Sequence, residues 1–335
     1  MNWTLALAAF GIGIVVGLTG MGGGALMTPV LVLVFGIPPL TAVSSDLVAA
    51  AVMKPVGGLV HLRKGTVRLE LVKWLCIGSV PFAFLGVLVD RSLGSGDHVQ
   101  TLIQRALGVA LVVAAIGLFI RAYTRLVERA RKRDGRLQPD PQGPPTMKIR
   151  PVPTMFVGAV GGLVVGMTSV GSGSLIIIAL MGLYPGLRAS ELVGTDLVQA
   201  VPLVASAALG HVLFGDFKLS LTTSLLVGCI PGAFLGAQLS SRLPGGPIRR
   251  ALAFILLASS LKLLGLSTTR TGICLVVLLA VAPPLWMIIR RRHGFPALAR
   301  REVRHSGVAT SVAAAPSASA AQSSSATSSV PRTLP

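Results

Sequence analysis

Two aspartates lie inside strongly apolar stretches, Asp46 in TAVSSDL and Asp196 in ELVGTDL, each directly after a hydroxyl residue, Ser45 or Thr195. A carboxyl group placed there costs about 2.5 kcal/mol or more, so such a residue generally faces a cavity and carries a function. Proton coupling is the chemistry that fits, the carboxyl being neutral while an anion sits beside it. Helix capping is the other reading, because Ser, Thr or Asp near Pro39 or Gly194 can open a helix and accept its first N–H groups. Lys54 stands in the middle of an apolar run, just before Pro55. It could meet an anion directly, partner an aspartate, or snorkel. Its counterpart in the second half is Val204, so this feature is asymmetric, whereas Lys262 near a run's end reads as snorkelling.

Two glycine-rich stretches, GLTGMGGG (17–24) and GMTSVGSG (166–173), interrupt apolar sequence at equivalent places. Glycine lets the backbone leave helical geometry at membrane depth, and the next helix then starts inside the bilayer. Two such half-helix N-termini, each with partial positive charge and free amides, form an anion site without a full cation. Candidate binding residues are Thr19, Gly20, Gly22, Gly23 and Gly24 in the first stretch and Thr168, Ser169, Gly171, Ser172 and Gly173 in the second. Close helix packing is the alternative, since Gly13/Gly17 and Gly158/Gly162/Gly166 have GxxxG spacing. Neither stretch has the Lys-Ser/Thr ending of a phosphate-binding loop or the context of a dinucleotide fingerprint.

Other polar residues suggest no reaction. His61 and His211 fall at the ends of apolar runs and read as interfacial anchors. Cys76, Cys229 and Cys274 lie in apolar sequence without metal-ligand spacing, so no disulfide, zinc or other cofactor is expected. A membrane-embedded enzyme needs a converging nucleophile and base, or an HExxH-like metal pair, and neither pattern occurs. Pro81 and Pro231 read as matched kinks that shape a pathway.

The elements that must hold these residues follow from composition. The 335 residues are 52% hydrophobic and only 12% charged, against about 25% charged in soluble domains. Most of the surface therefore faces lipid, and the expected fold is an all-α polytopic membrane protein. A net charge of +19 would suggest nucleic-acid binding in a soluble chain, but the basic residues lie mainly between apolar runs, nine of them in 121–150 and seven from Arg290 onward. That is the pattern of cytoplasmic loops, and nucleic acid is not an expected partner.

Up to eleven apolar segments can be counted, some too short for a full span, so eight to eleven crossings are expected. The chain also repeats at an offset near 150: IGSVPFAFLG (77–86) and VGCIPGAFLG (227–236) share six of ten residues, and Asp46/Asp196, His61/His211 and Gly65/Gly215 keep the same register. With about four to five segments per copy, and with the Arg/Lys-rich loop after His61 set against a loop after His211 whose only basic residue is Lys218, two inverted-topology repeats with broken helices are expected. The expected division is a first repeat at 1–120, a basic cytoplasmic linker at 121–150, a second repeat at 151–266, one extra C-terminal segment at 267–292, and a basic, then Ala/Ser-rich disordered tail at 293–335.

GLTGMGGGALMTPVLVLVFGIPPLTAVSSDLVAAAVMKPVGGLVHLRKGTV, followed by IGSVPFAFLG, resembles the sulfite exporter TauE/SafE family. GMTSVGSGSL, ELVGTDL, GHVLFGDF and VGCIPGAFLG resemble it a second time, and the similarity covers about residues 8–266. The resemblance implies a multi-pass transporter of small anions, such as sulfite or sulfonates, in a bacterial inner membrane. It carries the family's glycine signature onto Gly20, Gly22, Gly23 and Gly24 and onto Gly171 and Gly173, while Ser169, Ser172 and Ser174 depart from it. The expected partners are the small anionic substrate, the lipid bilayer and, in a homo-oligomer, further copies of the chain. The mechanism expected is alternating access around a midplane site, with Asp46 and Asp196 coupling. A facilitated anion channel and a membrane scaffold or receptor are the alternatives.

Overall fold

Apolar runs closed by glycine, proline or charge fold into helices, and the described residues contain no strand. In order they are α1 (Trp3–Thr19), α2 (Gly24–Leu33), α3 (Pro39–Arg63), α4 (Leu69–Ser92), α5 (Asp97–Arg133), α6 (Pro151–Thr168), α7 (Leu175–Leu183), α8 (Ala189–Phe214), α9 (Leu219–Leu239), α10 (Gly245–Leu263) and α11 (Thr268–Arg292). The computed structural model describes residues 2–19, 23–63, 65–94, 96–133, 149–171, 173–187, 189–215, 217–239 and 245–295, apart from a few side chains that include Thr19.

Six helices among the described residues are long and apolar enough to cross a membrane, in α4, α5, α6, α8, α9 and α11. The protein is thus a multi-pass, all-helical membrane protein. By contrast α2 has 10 residues and α7 has 9. At about 1.5 Å per residue neither covers more than half of a hydrocarbon core about 30 Å thick. Each of these short helices follows one of the glycine-rich stretches, which explains the interruption.

Helix α5 runs for 37 residues to Arg133, well past the apolar run, so the basic segment begins as helix. Its residues RLVERARKR are good helix formers, and hydropathy alone does not register that. Residues 134–148 and 296–335, which hold most of the expected linker and tail, lie outside the described residues.

Within residues 1–279, packing is dominated by the pairs α1/α9, α4/α6, α3/α8, α4/α8 and α5/α10. Two of these are glycine seams. On α4/α6, a Cβ at Gly158, Gly162 or Gly166 would run into the backbone at Leu75, Ser79 or Ala83 respectively; on α1/α9, one at Gly228, Gly232 or Gly236 would run into Ala6, Phe10 or Ile14. Residue numbers rise together along both seams, so each pair is parallel. In lipid there is no hydrophobic drive between helices, and close backbone approach supplies the dispersion that holds them. The GxxxG glycines of α6, together with Gly13 at the carbonyl of Cys229, thus serve packing.

The α3/α8 pair instead runs antiparallel, with Ser44 beside His211 and Gly58 beside Leu197 and Val198. An apolar cluster including Leu47, Leu75, Val165, Ile176 and Leu203 surrounds this crossing. Pro81 and Pro231 sit on the exposed faces of α4 and α9, and both helices continue through them. They therefore do not line a path between the helices, because an exposed proline removes an N–H on the lipid side. Residues 280–295 belong to a second unit, in which the Arg290 guanidinium lies 5.8 Å over the Phe295 ring.

Candidate functional site

Helix α6 ends in an uncommon way. Ser169 caps it in the left-handed region (φ 58°, ψ −4°), its N–H reaching the Val165 carbonyl at 2.8 Å. Among the described residues no other non-glycine has positive φ. Glycine is the usual occupant, and a side chain there costs about 1 kcal/mol. The chain then turns through Gly171 (φ 126°) and Gly173 (φ 154°) into α7.

The strained position aims the Ser169 hydroxyl at α3. Ser169 Oγ donates to Asp46 Oδ2 at 2.6 Å, and Thr28 Oγ1, from α2, donates to the same oxygen at 2.8 Å. Asp46 is buried, at 2% exposure, as are Ser169 and Thr28. When Asp46 is ionised, two hydroxyls on one carboxylate oxygen are charge-assisted bonds, stronger than their neutral counterparts. Gly24, at the start of α2, makes the approach possible, since a Cβ there would collide with the Ser169 carbonyl and hydroxyl. Both interrupted stretches thus meet beside one aspartate.

One alternative raised by the sequence is resolved here. Asp46 and Asp196 lie well inside α3 and α8, which begin at Pro39 and Ala189, so neither is a helix cap. The amides of Gly173, Ser174 and Leu175 turn back to the Gly171 carbonyl at 3.0, 3.3 and 3.0 Å. Thr168 Oγ1 is occupied locally by the Val164 carbonyl at 2.6 Å. The Gly23 carbonyl accepts from Leu26 and Met27 at the start of α2. Gly20, Gly22 and Ser172, and the side chain of Thr19, lie outside the described residues.

Lys54, on α3, is buried at 8% exposure, and its charge acts on both Asp46 and Asp196. That burial argues against a snorkelling lysine. The duplicated aspartates are satisfied unequally. Asp196 is also 2% exposed, but its Oδ1 has no hydrogen-bond partner. Thr195, the hydroxyl before it, accepts the Arg68 N–H at 3.1 Å, and Arg68 pairs with Glu191 at 2.9 Å. On the same α8 face, Gln199 Nε2 donates to Ser79 Oγ at 2.6 Å, while Gln199 Oε1 is unpartnered.

The sequence reading missed Thr28, Gln199 and Asp90. Asp90 is 1% exposed and neither of its carboxylate oxygens has a hydrogen-bond partner. It closes an apolar run beside Arg91, a pattern that reads as a helix end at the interface. His211 needs correction. It is fully buried, not interfacial, with Nδ1 2.8 Å from Ser44 Oγ and Nε2 2.8 Å from the Gly166 carbonyl. His61, by contrast, is half-buried at the end of α3, where Nδ1 meets Thr66 Oγ1 at 3.0 Å.

Comparison with known proteins gives the same direction. The family described as sulfite exporter TauE/SafE matches residues 5–263. The chain is 37% identical over 265 residues to "Probable membrane transporter protein YjnA" of Bacillus subtilis, covering 79% of this chain and 100% of that protein. It is 27% identical over 248 residues to "Probable membrane transporter protein YdhB" of the same organism, covering 74% and 94%. No solved structure matches it. On the family match and the full-length likeness to YjnA, the chain is a membrane transporter, not an enzyme, and belongs to the sulfite exporter TauE/SafE family.

Proposed function

We propose that the protein is a secondary transporter of small anions, with sulfite or a sulfonate as substrate, working by alternating access in a bacterial inner membrane. The observation that carries this is the pair of buried hydroxyls, Thr28 and Ser169, on Asp46, with the Lys54 charge acting on the same carboxylate. Hydroxyl donors at the meeting of two interrupted segments, with a buried lysine on the same helix as Asp46, suit a tetrahedral or pyramidal oxyanion.

In this reading Asp46 occupies the donors that the substrate needs. An ionised carboxylate holds both hydroxyls and repels an arriving anion. Once Asp46 is protonated, the repulsion goes and the hydroxyls of Thr28 and Ser169 can turn to the substrate, so proton and anion bind together. Asp196, with an open oxygen, is the second coupling group. The other candidate residues of the two glycine-rich stretches that are described, Gly23 and Gly24 in the first and Thr168, Gly171 and Gly173 in the second, contribute shape more than charge in this reading.

Two inverted-topology repeats, α1–α5 and α6–α10, supply the moving parts. The pairing supports them: under the correspondence of α1 with α6 and of α4 with α9, the seams α1/α9 and α4/α6 are equivalents, while α3/α8 and α5/α10 are each their own equivalent. A pseudo-two-fold axis in the membrane plane produces such a set, and rocking about it exposes a midplane site to each side in turn. Saturable uptake of labelled sulfite into proteoliposomes of the purified protein tests the reading. Absence of uptake for sulfite, sulfate and simple sulfonates alike would remove the anion assignment.

A further inference from the structure

His211 is fully buried and has no role in the scheme above, yet it touches both helices that form the Asp46–Ser169 contact. Its Nε2 lies 2.8 Å from the Gly166 carbonyl of α6, and its Nδ1 lies 2.8 Å from Ser44 Oγ of α3. Gly166 is three residues before Ser169, and Ser44 is two before Asp46. The histidine thus spans the same two elements one turn behind the contact itself.

The chemistry at each nitrogen is distinct. The last carbonyls of a helix lack intrahelical donors. Val165 is served by the Ser169 N–H, but the amide of Val170 goes to Thr168 Oγ1 at 3.2 Å, away from Gly166. The Gly166 carbonyl is therefore an orphan at a buried helix end. A carbonyl can only accept, so Nε2 carries the proton and donates. In the neutral ring Nδ1 is then an acceptor for Ser44, whose single hydrogen also has the Leu40 carbonyl at 2.8 Å. Gly215 closes over the ring, since a Cβ there would come within 2.7 Å of Nδ1 and 2.9 Å of Ser44 Oγ.

We propose that His211 is a positioning residue: its Nε2–H caps the broken end of α6 at Gly166 and so holds the left-handed turn that presents the Ser169 hydroxyl to Asp46. The role rests on the reading of Asp46 and Ser169 as the transport site, but the cap itself can be tested without any substrate. The two nitrogens separate by substitution. Gln places an N–H near Nε2 and keeps the cap, whereas Asn reaches only as far as Nδ1 and keeps the Ser44 contact.

Hydrogen exchange of the purified full-length protein in lipid nanodiscs, compared for wild type, His211→Gln and His211→Asn, is the test. Expected is a rise of about tenfold or more in exchange across residues 169–176 in the Asn variant, with peptides of α1 and α9 unchanged, and rates within about threefold of wild type in the Gln variant. Sulfite uptake is the second readout, with KM raised in the Asn variant, Vmax little changed, and KM restored by Gln. Equal exchange in the two variants, or loosening spread over the whole protein, would overturn the positioning role. If exchange behaves as expected while wild-type protein moves no sulfite, the cap stands and the substrate assignment falls.

Discussion

Ser169 Oγ and Asp46 Oδ2 lie 2.6 Å apart although 123 positions separate them in sequence. One belongs to the second glycine-rich stretch and the other to α3, which follows the first stretch and α2. Ser169 accepts a left-handed backbone to make this bond, and substitution can separate the strain from the hydroxyl. Ser169→Gly removes both, and Ser169→Ala removes the hydroxyl alone. Expected is loss of uptake in both variants, with Ala less stable than wild type by about 1–3 kcal/mol and Gly recovering about 1 kcal/mol of that. Thermal unfolding in detergent beside uptake checks the split.

Gly24 and Gly11 form a matched pair for testing how tightly the interrupted stretches meet. A Cβ at Gly24 would collide with Ser169, whereas one at Gly11 has nothing within 4 Å. Gly24→Ala is expected to destabilise by about 1–3 kcal/mol through overpacking, and Gly11→Ala to be neutral or slightly stabilising. Melting temperatures of the two variants decide it, and equal values would remove the close contact from the site.

Lys54 is buried on the same helix as Asp46, and in the proposed reading its charge offsets those of Asp46 and Asp196. Breaking one side of a buried ion pair costs about 3–5 kcal/mol. Lys54→Met is expected to lose that order of stability, and Lys54→Met combined with Asp196→Asn to regain part of it. A double-variant cycle on thermal stability measures the coupling, and strict additivity would place Lys54 outside the pair.

Asp90 buries two carboxylate oxygens without a hydrogen bond. Such a group costs stability, so Asp90→Asn is expected to stabilise the fold by about 1–3 kcal/mol. A lowered melting temperature would mean that Asp90 is engaged in a stabilising interaction.

What the sequence makes legible is the burden each residue carries on its own segment. Asp46, Asp196 and Lys54 stand out because ionisable groups in apolar runs are costly wherever the fold puts them. The helices are legible for the same reason, as are the interruptions before α2 and α7. Partners are not legible when they come from distant segments. Thr28 is an ordinary hydroxyl until α2 packs on α3, and His211 resembles an interfacial residue until the Gly166 carbonyl is seen to lack a donor. The left-handed turn at Ser169 is not legible either, since glycine rather than serine is the usual occupant of such a position.

Coupled uptake tests the central claim most directly. Proteoliposomes holding wild type, Asp46→Asn or Asp46→Asn/Asp196→Asn would be given labelled sulfite with and without an imposed pH gradient. Expected is saturable uptake by wild type that the gradient stimulates, with the stimulation lost in Asp46→Asn and in the double variant. Gradient-stimulated uptake that persists at the wild-type level in Asp46→Asn would contradict the role assigned to the Asp46 carboxylate.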